Sequence, residues 1–90
     1  LIVVNNDPNS SQYKKWISLV LDSKNYQQVL IPPNFGNGHL VLSNSAIFHH
    51  KQTTFYGENK QFTIGWKNKE YNFKWMRKKV ILSKRDSLCE

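Results

Sequence analysis

Residues 29–42, Val-Leu-Ile-Pro-Pro-Asn-Phe-Gly-Asn-Gly-His-Leu-Val-Leu, constrain the fold of this chain more than any other segment. Pro32 and Pro33 each hold φ at about −65° and remove a backbone donor, so neither suits a helix interior or a central strand. Gly36 and Gly38 supply backbone conformations that other residues resist. The apolar runs on either side then read as strands, and the whole segment as strand, rigid turn, strand, with the second strand resuming at His39. Asn37 and His39 stand at the exit of that turn. A turn so constrained is suited to aiming polar side chains into the mouth of a β-barrel.

The rest of the chain supports strands. Residues 1–4 are a short apolar run, and residues 16–21 are β-rich and end in the turn cluster Asp22-Ser23-Lys24-Asn25. Further strands are expected at residues 28–31, 39–42, 46–54 and 61–66. Residues 5–12 consist almost wholly of turn formers. Strands thus recur about every 10–12 residues without a helical period, which points to an all-β sandwich or barrel. The chain has 90 residues, so it holds one domain at most and can bury only about 60–65% of its unfolded surface. It opens inside an apolar run, has no initiator Met, and offers six strands where a two-sheet jelly roll needs eight. The expectation is a piece of a larger all-β domain.

Cys89 is the one cysteine, so no disulfide can form within the chain and a reducing, cytoplasmic compartment is expected. No apolar run approaches the roughly 20 residues of a membrane-spanning helix, and no signal peptide is visible. Asn9-Ser10-Ser11 fits a glycosylation triplet, with nothing else to suggest secretion. The net charge is +7, and much of it comes from Lys67, Lys69, Lys74, Arg77, Lys78 and Lys79 and from the pair Lys84 and Arg85. Such a cluster serves either as a solvated face or as an anion site for a phosphorylated ligand or nucleic acid. No nucleic-acid-binding motif accompanies it, and a solvated face is the expectation.

The ordered set of motifs resembles a known family. Ser10 and Trp16 follow the first polar loop, and Asn25 precedes the next strand. Ile-Pro-Pro-x-Phe-x-x-Gly-x-Leu-Val-Leu-Ser occupies residues 31–43. Lys51, Tyr56, Ile64-Gly65-Trp66 and Ile81-Leu82-Ser83-Lys84-Arg85-Asp86 complete the series. Together they look like the C-terminal half of the dTDP-4-dehydrorhamnose 3,5-epimerase family. The resemblance implies a cupin-type jelly roll, a partial barrel here, with residues 1–90 forming the C-terminal portion of one domain. It implies a cofactor-free isomerase that is dimeric when whole and acts on a nucleotide-linked 4-keto-6-deoxy sugar. It does not imply a metal.

Such chemistry needs a base to remove the proton beside the ketone, donors to hold the enolate oxygen, and an acid on the opposite face. In the family the base is a His paired with an Asp. The resemblance places that His in the N-terminal half, outside these residues, and its Asp partner at Asp86. The family's acid, a Tyr before the Lys of a long strand, aligns with His50. Tyr56 aligns with a second Tyr near the active site, and Asn37 and His39 occupy the substrate-binding turn. The chain departs from the family pattern at three places. The turn reads Asn37-Gly38-His39 instead of His-Gly-Phe, His50 replaces the acid Tyr, and Asn68 stands where an Asp is usual. The Asn-x-His turn resembles a branch that acts on GDP-linked 4-keto-deoxy-heptoses.

An imidazole titrates near neutral pH and can give or take a proton, so His50 can serve as an acid. His49 and His50 are neighbours, and in a strand they would face opposite sides, which argues against shared metal ligation. Trp16, Trp66 and Trp75 are expected in the core or at an interface, and Lys51 in a structural role. The competing functional classes are a non-catalytic sugar-nucleotide-binding β domain and a basic nucleic-acid-binding β module.

Overall fold

The computed structural model describes residues 1–53 and 62–89. Its centre is a three-stranded antiparallel sheet of order β2-β1-β3, with β1 at Ile2–Asn5, β2 at Trp16–Ser18 and β3 at Phe35–Gly38. One short helix, α1 at Lys84–Leu88, follows near the C-terminus. The architecture is all-β. Among the described residues the sheet is not closed into a barrel, and it is consistent with an incomplete jelly roll.

The middle strand carries the core. Ile2, Val3 and Val4 are 3%, 7% and 3% exposed. β-Branched side chains suit a pleated, buried surface, so the apolar run at the start of the chain becomes the strand with neighbours on both sides. Val3 pairs with Ile17 on one side and Asn37 on the other, and Val4 pairs with Trp16 and Gly36. The β1–β2 ladder continues past its ends, where the Leu19 N–H donates to the Leu1 carbonyl at 2.8 Å.

Beside Asn5 that ladder carries an extra residue. The Lys14 N–H donates to the Asn5 carbonyl at 2.7 Å, and the Asn5 N–H donates to the Lys15 carbonyl at 2.9 Å. Two residues therefore face one, and Lys14 takes φ 69°, the left-handed conformation a β-bulge of this kind requires. Buried Asn5 ties the adjoining loop. Its amide donates to Ser10 Oγ at 3.1 Å, and its Oδ1 accepts from the Asp7 N–H at 2.9 Å. This gives Ser10 a structural role.

The segment around the prolines differs from the sequence expectation. The turn is there, at Pro33-Asn34, but the strand resumes at Phe35 rather than His39. Proline followed by a residue at positive φ (66° for Asn34) is the pattern of a type II turn. Phe35–Gly38 then pairs along the whole of β1. The glycines are needed for room. A Cβ on Gly36 would lie 3.1 Å from Val4 Cγ1, and one on Gly38 would lie 3.2 Å from Trp75 Cη2. Residues 28–31, 39–42 and 46–53 form no ladder among the described residues. The strand expected at 61–66 likewise forms none over its described part, 62–66.

An aromatic row covers the glycine face of the sheet. The rings of Tyr71 and Phe73 stack at 5.3 Å, and Phe73 meets Trp16 and Trp75 edge-on at 5.8 and 6.3 Å. Both half-buried indoles are satisfied. Trp16 Nε1 donates to the Tyr71 carbonyl at 2.7 Å, and Trp75 Nε1 donates to the Trp66 carbonyl at 2.9 Å. Trp16 and Trp75 thus pack as the sequence suggested. Asn68 sets the turn that starts this row: its Oδ1 accepts from the Glu70 N–H at 2.9 Å, and its carbonyl accepts from Asn72 at 3.0 Å.

Candidate functional site

β3 delivers two of the sequence-derived candidates to one edge of the sheet. Asn37 lies within the strand opposite Val3 and is exposed. His39 follows directly after Gly38, whose backbone is held by its pairing with Ile2 and by the close approach of Trp75. The His39 ring stacks on Phe48 with centroids 4.1 Å apart and planes 14° from parallel. On from Phe48, the His50 ring stands 5.5 Å away at 37°. The two imidazoles singled out in the sequence are therefore gathered around one phenyl ring, although eleven positions separate them in the chain. Phe48 was not among the sequence candidates. Nothing in the sequence marked it, since residues 46–53 form no strand whose alternation would pair Phe48 with His50.

Asp86 lies elsewhere. It is half-buried in α1, where its N–H donates to the Oγ of the N-cap Ser83 at 3.2 Å. The Ser83 carbonyl accepts from the Ser87 N–H at 2.9 Å. Cys89 Sγ, just past the helix, donates to the Thr63 carbonyl at 3.1 Å and ties the helix to the segment that faces Gly36. Among the described residues the Asp86 carboxylate forms no ion pair, and neither imidazole hydrogen-bonds to it. Tyr56 lies outside the described residues.

A concavity of about 320 Å³ opens beside β3, lined by Asn6, Asn34, Phe35, Gly36, Phe62 and Ile64. Past its Asn6 end lies a polar cluster. Tyr71 Oη donates to Asn6 Oδ1 at 3.1 Å, and Lys14 Nζ pairs with Glu70 Oε2 at 2.7 Å. The hydrogen bond from Lys14 holds the Glu70 carboxyl below its ordinary range and raises Lys14 in turn. Burial, first among several causes, raises the Tyr71 phenol. The basic segment is engaged in part: Lys67 Nζ lies over the Trp66 ring at 4.8 Å, and Arg77 donates to the Leu42 carbonyl at 2.8 Å. Among the described residues no three His, Cys, Asp or Glu side chains cluster as metal ligands. No described helix is long and apolar enough to cross a membrane.

The open antiparallel sheet, with the two imidazoles gathered beyond the end of β3, defines an all-β protein whose fold is consistent with an incomplete jelly roll. The family model described as dTDP-4-dehydrorhamnose 3,5-epimerase matches residues 1–90, and the chain belongs to that family. It is 42% identical over 55 residues to the dTDP-4-dehydrorhamnose 3,5-epimerase of Escherichia coli (strain K12), covering 61% of this chain and 30% of that protein. It is 34% identical over 53 residues to the like-named protein of Shigella flexneri, covering 59% and 29%. The aligned part therefore spans less than a third of either curated relative. No solved structure matches.

Proposed function

We propose that this chain supplies the C-terminal part of the active site of a sugar-nucleotide epimerase. The reaction inverts carbon 3, carbon 5 or both in a nucleotide-linked 4-keto-6-deoxy sugar. The observation that carries this reading is the family match along residues 1–90. The gathering of His39 and His50 at the rim of the sheet supports it.

The ketone at carbon 4 acidifies the hydrogens on its neighbours. A base removes one, the electron pair moves onto the ketone oxygen as an enolate, and an acid returns a proton to the same carbon from the other face. Bonds and charges balance without a redox step, so the chemistry needs no cofactor. In this reading His50 is the acid that returns the proton. Asp86 orients a His base carried on a strand outside these residues. Asn37, His39 and Tyr56 hold the sugar. A dTDP-linked 4-keto-6-deoxy sugar is the substrate this reading takes from the family, and the Asn37-Gly38-His39 sequence in and just after β3 keeps a GDP-linked 4-keto-deoxy-heptose as the alternative. The whole enzyme is a cytoplasmic homodimer in deoxysugar and polysaccharide biosynthesis.

Deuterium uptake tests the reading. The protein, in a form that includes the strands completing the barrel, is incubated in deuterated water with dTDP- and GDP-linked 4-keto sugars. Label at two carbons indicates double epimerisation, and label at one indicates that His50 serves a single face. Asp86→Asn should slow exchange by about 100-fold or more, and unchanged exchange would remove Asp86 from the dyad. The 90 residues alone should exchange no label. A second reading is a non-catalytic sugar-nucleotide-binding β domain, in which the same residues hold the ligand without moving a proton. It predicts binding of both donors with no label at any carbon.

A further inference from the structure

His39 and His50 reach the same place by different means. His39 is fixed by what precedes it, since Gly38 is paired to Ile2 and packed against Trp75. His50 belongs to no helix or strand and is exposed. An exposed imidazole on irregular backbone samples several rotamers, and only one of them aims its nitrogen at a given carbon. What joins residues 48–50 to the exit of β3 is the Phe48 ring, which lies almost parallel to His39 at 4.1 Å and reaches His50 at 5.5 Å.

We propose that Phe48 is a positioning residue that couples the two imidazoles, holding His50 at a set distance from the His39 that β3 has already placed. The inference rests on the epimerase reading for the purpose of that placement, and on ring geometry for the placement itself. Phe48 offers no proton and no polar atom, so it acts only through its neighbours. Nearly parallel stacking is the part of its contribution that depends on an aromatic ring. A leucine of similar bulk would fill the space without giving either imidazole a flat partner. About half of Phe48 is exposed (49%), so its replacement leaves the β1 core untouched.

Two measurements separate this proposal from the reading it rests on. The first is proton NMR of the histidines in the 90-residue chain. In the wild type the His39 and His50 ring protons should show through-space contacts to Phe48 and upfield ring-current displacement. Phe48→Leu should abolish both, and Phe48→Tyr should keep both. The second is deuterium exchange in the form carrying the completing strands. There Phe48→Leu should lower kcat by ~3- to 10-fold, the range expected from losing one aromatic stack, with KM changed by less than about twofold. Phe48→Tyr should recover wild-type turnover. Histidine resonances unaltered in Phe48→Leu overturn the proposal, as does full turnover by that variant in an active wild type. A wild type that keeps its ring-current shifts but exchanges no deuterium refutes the epimerase reading while sustaining the ring placement.

Discussion

Asn34 shows how one backbone angle sets the position of the site. Its φ of 66° turns the chain out of the prolines and into β3, and its carbonyl accepts the Asn6 N–H at 3.0 Å. Asparagine tolerates this region, and a β-branched residue does not. Asn34→Val should weaken the turn by ~1–2 kcal/mol, read as a roughly 5- to 30-fold loss of hydrogen-exchange protection at the Asn6 amide. Asn34→Gly should leave that protection nearly unchanged; equal effects of the two variants would remove the backbone explanation. Glu70 offers a second test at the same scale. Its folded-state pKa is lowered by Lys14, so the folded state binds fewer protons than the unfolded one around the carboxylate range. The stabilisation is present above the ordinary glutamate value and is lost as pH falls through the lowered one. Both side chains are well exposed to solvent, so the effect is small and sensitive to salt. The protection difference between wild type and Glu70→Gln at the Lys14 amide should be measurable at pH 6 in low salt. It should shrink steadily as pH falls below the ordinary glutamate value and vanish in 1 M salt; a difference indifferent to both would assign it to something other than the ion pair.

Among the elements, α1 is the one whose existence depends on a single cap. Five residues are too few for a helix to persist by propensity alone. Ser83 supplies the acceptor for the Asp86 N–H, and Cys89 supplies the tie to Thr63. Ser83→Ala should cost about 1 kcal/mol locally, seen as loss of helical chemical shifts over residues 84–88 while the β1 amides keep their protection. If Asp86 orients the base as proposed, the same change should also slow deuterium exchange in the form carrying the completing strands, without touching the Asp86 side chain. The sequence made β1 and the start of β2 readable, because apolar β-branched runs express a local preference that burial then rewards. It hid β3, because Gly-Asn-Gly reads locally as a turn. What makes it a strand is tertiary: Val4 and Trp75 crowd against it, and only glycine leaves them space. It hid α1 for a related reason, since Ser83-Lys84-Arg85-Asp86 is too short to show a period and its cap becomes visible only once the helix exists. Of the candidate site, Asn37 and His39 could be named from residue type and position, and His50 from its place in the family resemblance. Phe48 could not, because nothing in a phenylalanine's own chemistry marks it until two imidazoles are found against its ring.

At the scale of the whole molecule, the distribution of apolar surface is the deciding fact. Among the described residues the buried apolar side chains are Ile2, Val3 and Val4, all in one strand. Leu30, Ile47 and Ile81 are 94%, 99% and 103% exposed, as far out as residues can stand. The radius of gyration is 13.7 Å, against about 12 Å for a compact chain of this length. A sheet buried along one strand, beside so much uncovered apolar surface, lacks the single shared core that makes unfolding all-or-none. The slope of stability against urea follows the surface exposed on unfolding. For the 90 residues alone it should fall below ~1 kcal/mol/M, the low end for small domains. Tryptophan fluorescence and exchange of the β1 amides should give separate midpoints. The chain should also bind a hydrophobic dye in the absence of denaturant, since Leu30, Ile47 and Ile81 are open to it. If the chain is part of a larger jelly roll, as proposed, adding the completing strands should raise the slope, merge the two midpoints and displace the dye. A steep, coincident transition for the 90 residues alone would mean that Leu30, Ile47 and Ile81 find cover within the chain itself and that one shared core unfolds at once.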